Sequence, residues 1–203
     1  MKVKLSQGEL KRQRDALRQY ERYLPTLQLK KQQIQLEILH QQGIQKEARD
    51  ALSHKKKAAM EWSGLLSEDL GIGRWLVPKQ VLRGKKNVAG VDLPVFERAE
   101  FETAMYDLFL EPLWLDRGIE ALREIVSLQE EIRVLEDGIS VLNHDLRITT
   151  QRVNLFEKVK IPEAKDAIRL IKIHLGDQMT NAVGRSKIAK KKIEAAAAME
   201  TGI

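Results

Sequence analysis

The stretch Arg152-Val153-Asn154-Leu155-Phe156-Glu157-Lys158-Val159-Lys160-Ile161-Pro162 puts a proline inside an apolar rhythm that runs on past it. A proline within a helix costs about 3 kcal/mol, because its nitrogen has no hydrogen to donate and its ring meets the preceding turn. A helix that carries one needs packing to hold it, or has a use for the bend. Upstream, Val153 and Phe156 close a stripe made of Ala121, Ile125, Leu128, Ile132, Leu135, Ile139, Leu142, Leu146 and Thr149. Its alternating steps of four and three are those of a coiled-coil seam. The helix is expected to begin near Pro112 or Asp116. Downstream, Ala167 or Ile168, Ile171, Leu175 and Met179 carry a weaker stripe, and Gly176 and Gly184 loosen the end.

The first part of the chain supplies a partner. Residues 3 to 68 read as one helix, with Leu10, Leu17, Leu24, Lys31, Ile38, Gln45, Leu52, Ala59 and Leu66 in one row. Gln13, Tyr20, Leu27, Ile34, Gln41, Ala48, Lys55 and Trp62 form the companion row. The seam is impure at Lys31, Gln41, Gln45 and Lys55. Polar residues there fix register at some cost in stability. Pro25 predicts a kink near Tyr23 and Leu24.

Between the two helical patterns the character changes. Gly71, Gly73, Pro78, Gly84, Gly90 and Pro94 punctuate the stretch and rule against a long helix. The runs 75–82 and 87–96 read as a strand pair around a turn at 83–86, with a short helix following over 99–110. The fold class is therefore mainly α: a long antiparallel two-helix coiled coil of the N- and C-terminal helices, with a small central head holding a short β-hairpin and a short helix. The segments divide as 1–69, an N-terminal shaft helix; 70–111, the head; and 112–203, a C-terminal shaft helix with a basic tail. A helix of about 65 residues rises roughly 95 Å, so the body is expected to be a rod. Setting residue 65 against residue 120 brings Pro25 to the level of Pro162, Lys55 beside Glu130 and Glu131, and His40 across from His144.

Composition supports long, wet helices. Charged residues make up 32% of the 203 and aromatics only 5%. Cysteine is absent, which excludes disulfides and thiolate metal sites. No apolar run approaches the roughly 18 residues that span a bilayer, and the first residues lack a secretory core. A cytoplasmic protein without direct membrane insertion is expected, peripheral at most on the cytoplasmic face of the cell membrane. The net charge of +6 is concentrated at the ends, with Lys2, Lys4, Lys11, Arg12 and Arg14 at one and Arg185, Lys187, Lys190, Lys191 and Lys192 at the other. An antiparallel pairing puts these like charges together, which suits an acidic or polar surround better than isolation.

Catalytic chemistry finds no footing. Gly84-Lys85-Lys86 lacks the first glycine and the hydroxyl of a phosphate loop, since positions 79 and 86 are both lysine. Gly71-Ile72-Gly73 has Leu76 where a dinucleotide fingerprint needs its third glycine. The four histidines, His40, His54, His144 and His174, lie without carboxylates at zincin spacing. No nucleophile–base set stands out, and no cofactor or metal is expected. Lys187 to Lys192 could meet phosphates, but no aromatic interleaves them, so nucleic acid is not the expected partner. Trp62, Trp75 and Trp114 are expected to pack the junction of head and shaft.

The stretch quoted first closely resembles the C-terminal signature of the D subunits of V-type and A-type rotary ATPases, R-R-V-N-A-L-E-x-V-x-I-P. Asn87-Val88-Ala89-Gly90-Val91-Asp92-Leu93-Pro94 is similar to that family's hairpin word, and Leu27 to Lys31 to its early L-K-x-K-R region. Gln151 stands where the family has its first arginine, Leu155-Phe156 replaces Ala-Leu, and Pro25 is unusual, which suggests a divergent bacterial branch. The resemblance implies a central rotor shaft, a non-catalytic subunit that couples ATP hydrolysis or synthesis to ion translocation. Its implied partners are the hexamer of A and B subunits, the small F subunit and the adaptor on the membrane ring. It implies Gln151, Arg152 and Asn154 as contacts to the hexamer, Lys187, Lys190 and Lys191 as tip contacts, and Val88, Val91 and Leu93 as head contacts. Two other readings stand beside it: a free-standing coiled-coil scaffold, and a basic nucleic-acid-binding helical hairpin.

Overall fold

The computed structural model describes residues 4–64, 71–106 and 111–200, the last four as backbone only. Helix α1 runs Gln7–Glu61, a four-residue α2 runs Gly73–Leu76, strands β1 and β2 run Pro78–Val88 and Val91–Phe101, and α3 runs Leu115–Leu155. A π-helical turn, Phe156–Lys160, leads directly into α4, Ile161–Glu200. Helix α1 passes Pro25 without a break. By internal contacts the chain divides into two compact units, 29–150 and the pairing of 1–28 with 151–203.

In the unit 29–150, the second half of α1 packs antiparallel to α3. Lys30 meets Asp145 at 3.0 Å, and Arg49 meets Glu136 at 2.7 Å. Gln45 adds a hydrogen bond to the same Glu136 at 3.2 Å. Lys55 pairs with Glu124 rather than with Glu130 or Glu131, while Arg49 and Glu136 meet at the expected level. Seam positions Ile34, Ile38 and Ala48 of α1 and Ile125, Ile132, Leu142 and Thr149 of α3 are buried. His40 and His144 are both exposed.

The hairpin is longer than the sequence suggests, and its turn lies elsewhere. Residues 83–86 are part of β1, and the chain reverses at Ala89-Gly90 between paired Val88 and Val91. Both turn residues have positive φ, 52° and 78°, as a two-residue hairpin turn matched to strand twist requires. Asn87 secures the turn: its Oδ1 accepts from the Gly90 amide at 3.2 Å, and its Nδ2 donates to Asp92 at 2.6 Å. Opposite Leu82 and Arg83 the register slips by one residue, Glu97 of β2, and a Cβ on Gly84 would meet the Glu97 carboxylate at 2.7 Å, so this glycine serves a close approach within the ladder rather than a turn. The short helix expected over 99–110 is not found where it can be seen, since Ala99 to Phe101 extend β2 and 102–106 are irregular; 107–110 lie outside the described residues. The head's short helix is α2, just before the hairpin.

In the other unit, the first part of α1 packs on the end of α3, the π-turn and α4. Tyr20 stacks on Phe156 with ring centroids 5.3 Å apart, and Lys165 reaches Glu21 at 3.6 Å. Val153, Ala164, Ala167 and Ile171 are buried there. From Gly176 to Ala196 every α4 residue is exposed.

Candidate functional site

The expected contact residues fall into three groups that the fold treats differently. Gln151, Arg152 and Asn154 flank buried Val153, and all three are exposed. The helical period turns them away from the seam while Val153 and half-buried Phe156 face α1. None of the three makes an ion pair or side-chain hydrogen bond among the described residues. They are polar groups presented to whatever surrounds this end of α3. The sequence word is thus half core and half surface.

The π-turn beside them has no signature in the sequence. Pro162 has no N–H for the Lys158 carbonyl, and its ring would crowd that carbonyl in an α-helix. The backbone widens instead, with the Ile161 amide donating to the Phe156 carbonyl five residues back. Helicity continues on both sides of the proline.

Lys187, Lys190 and Lys191 are exposed on the part of α4 that has outrun its partner. Lys190 makes an i,i+4 ion pair with Glu194 at 3.7 Å, while Lys187 and Lys191 make none among the described residues. Met179, Val183, Ile188 and Ile193 are also more than half exposed there. A helix with bare apolar and cationic side chains and no buried face draws little stability from its own chain.

On the hairpin, Val91 and Leu93 do not face outward. They are buried with Ile34, Ile38 and Leu142, and half-buried Val88 packs against that cluster. Buried in the chain's own core, Val91 and Leu93 hold the hairpin on the helices. Lys86, opposite Leu93 in the ladder, lies 3.4 Å from Glu37 of α1, and Arg83 lies 3.1 Å from Asp137 of α3. The lysine that suggested a phosphate loop is therefore in a strand and paired. Glu37 accepts from Gln41 at 2.8 Å, which, with Lys86 nearby, holds its carboxyl below the usual carboxylate range.

The head is closed around Trp75, which is buried with Leu115 and Ile119 and lies 5.3 Å from the ring of Tyr106. Tyr106 donates to Asp116, and Arg123 donates to the carbonyls of Trp75 and Glu102. Trp62 and Trp114 line a neighbouring cleft with Gly118. The tryptophans pack the junction as expected.

Sequence reading missed an exposed apolar surface in this unit. Leu29, Leu36 and Leu39 of α1 are 58%, 68% and 64% exposed, beside a groove of about 610 Å³ lined by Gln32, Gln35, Leu36, Leu39, Asn143 and Leu146. The signal was available: leucines at spacings of seven and three lie off both seam rows, where a wet helix face should be polar. Val77, Met105 and Leu113 are likewise exposed near the head. Among the described residues no group of three potential ligands gathers as a metal site, and no helix is long and apolar enough to cross a membrane.

Comparison with known proteins covers nearly the whole chain. The sequence profile of the ATP synthase D subunits matches residues 9–191. The V-type ATP synthase D subunit of Borreliella burgdorferi is 43% identical over 192 residues, 95% of each chain. Proteins of the same name are 32% identical in Chlamydia abortus, over 95% of this chain and 94% of theirs, and 30% identical in Chlamydia pneumoniae, over 96% and 94%. With a match of this extent, paired terminal helices and a hairpin between them, the chain belongs to the family of ATP synthase D subunits.

Proposed function

We propose that this chain is the central-stalk subunit of a V/A-type rotary ATPase, turning as a shaft between the nucleotide-hydrolysing hexamer and the ion-translocating ring. The observation that carries the reading is the family match across 9–191, together with the helical hairpin it lies on. The chain brings no catalytic group of its own; its task is mechanical and asymmetric. A shaft must present different faces to chemically alike sites, and α3 and α4 carry one polar face at Gln151, Arg152 and Asn154 and another at Lys187, Lys190 and Lys191. These are the contacts assigned to the A and B subunits. The head and the bare leucines of α1 are assigned to the F subunit and the membrane-ring adaptor. On this reading the protein is a peripheral part of the complex on the cytoplasmic face of the membrane.

The test is an affinity pull-down of the tagged chain from gently solubilised native membranes, with co-purifying proteins identified by mass spectrometry. Recovery of A and B subunits, a small F-like protein and ring components is the expected result. Their absence, beside an intact ATPase purified in parallel, would leave a free-standing scaffold.

A further inference from the structure

The seam of α3 keeps strict heptad steps as far as Val153 and Phe156, and the buried positions past Pro162 keep them again. Ala164 and Ile171 are seven apart, with half-buried Ile168 and Leu175 between and beyond. The two series do not join. From Phe156 to Ala164 is a step of eight, one residue more than a heptad allows. In a continuous α-helix the extra residue would turn the downstream stripe by about 100°. Of the positions that an unbroken heptad would bury, Ala167 is buried but Glu163 is exposed and Leu170 is 56% exposed, whereas Ile171, one residue on, is fully buried.

The π-turn Phe156–Lys160 lies inside that step of eight. A π-turn takes one more residue per hydrogen-bonded ring than an α-turn, so it can house one extra residue without rotating the helix beyond it. The Ile161 amide closes such a ring on the Phe156 carbonyl. Pro162 then bars the alternative, having no N–H for the Lys158 carbonyl and a ring that crowds it. The groove between the helices shows the outcome. Ala16 and Tyr20 of α1 line it with Lys160, Glu163, Ala164, Ala167 and Leu170, so Ala164 lies at its α1 side while Ile171 is buried beyond it.

We propose that the turn Phe156–Lys160, locked by Pro162, is a phase insert that absorbs one residue and fixes which face of α4 packs on α1. Pro162 is on this account a positioning residue. The inference stands on packing and holds whatever the function of the chain.

The sequence has no cysteine, so spin labels on cysteines placed at exposed Arg14 and Arg169 report the facing of the two helices in the full chain. Three further variants are compared with that parent. Deleting Lys158 together with Pro162→Ala removes the extra residue and the lock, and is expected to give a continuous α-helix in the same phase. Its label distance should stay within about 3 Å and its Tm within about 3 °C. Inserting one alanine after Lys158 leaves a second residue with no turn to hold it. That variant should shift or broaden the distance and lower the Tm by more than about 5 °C. Deleting Lys158 while keeping Pro162 forces the proline into α geometry, and its Tm should fall below that of the double variant. If the double variant is disturbed as much as the insertion, the turn does not set the phase. If the two deletions are equally stable, Pro162 is not the lock.

Discussion

At Ala89 the hairpin holds an ordinary L-residue at a φ of 52°, a region that side chains adopt at a cost of about 1–2 kcal/mol. Asparagine tolerates this conformation and is the favoured first residue of such a turn when glycine comes next, as Gly90 does here. Ala89→Asn is therefore expected to raise stability by about 0.5–1 kcal/mol, read as a higher urea midpoint. Glu37 makes a different kind of residue-scale contribution. Its hydrogen bond from Gln41 and the nearby Lys86 favour the ionised form in the folded state. A carboxyl whose folded pKa is lowered contributes stability that is fully present above its unfolded value of about 4.3 and is lost as pH falls through the folded value. Glu37→Gln should thus lower the urea midpoint at pH 7, and the gap to the parent chain should shrink progressively below about pH 4. A gap that is constant across this range would show that the carboxyl's charge is not what holds the hairpin there.

Among the elements, the hairpin depends most on the fit of one strand to two helices. Leu93 and Val91 fill the space between Ile34, Ile38 and Leu142, and Pro94 lies over Gly138 of α3. A Cβ at Gly138 would come no nearer than 3.8 Å to the Pro94 carbonyl oxygen, an ordinary contact. Because glycine also weakens a helix interior, Gly138→Ala is expected to stabilise the protein by up to about 1 kcal/mol, read by thermal denaturation. A drop in Tm would mean that the hairpin sits closer to α3 than its contacts indicate. Much of this element-level plan was legible in the sequence, because a seam repeated over many heptads leaves little choice of partner: Ile34, Ile38, Ile125, Ile132, Leu142 and Val153 are buried as their spacing requires. The features that escaped depended on backbone shape. The turn went to Ala89-Gly90 because Gly84, the more suggestive glycine, lies mid-strand against the bulged Glu97 of the partner strand. The π-turn was hidden because one residue of phase is small beside the noise of an impure seam. Val134, fully buried although off the seam row, was not legible from the seam spacing. Of the contact residues, Arg152 and its neighbours were legible as a surface by periodicity, whereas the inward turn of Val91 and Leu93 depended on which face of a two-stranded ribbon meets a helix.

For the whole molecule, the proposed assembly contacts are the charged faces, where among the described residues only Lys190 of the six contact residues is paired, with Glu194. Arg152 is exposed and unpaired among the described residues, so Arg152→Glu should leave the helical circular dichroism signal and Tm nearly unchanged while weakening assembly with the hexamer in co-purification. Loss of helicity on that change would make Arg152 a structural residue instead. The tail makes the sharper case. Between Gly176 and Ala196 no residue is buried, five cations stand against Asp177 and Glu194, and two glycines lower the helix propensity. A single helix of this length without a packed face is marginal in water, so its order must come from elsewhere. Truncation after Leu175 removes none of the described buried core, and the remaining protein is expected to unfold within about 2 °C of the full chain. If the tail is the part that seats in the hexamer, the same truncation should sharply reduce recovery of A and B subunits while leaving the head's partners bound. Retention of the hexamer by the truncated chain would move the assembly contacts back to the polar face around Arg152. A large fall in Tm would instead show that the tail is packed against its own chain, contrary to its exposure.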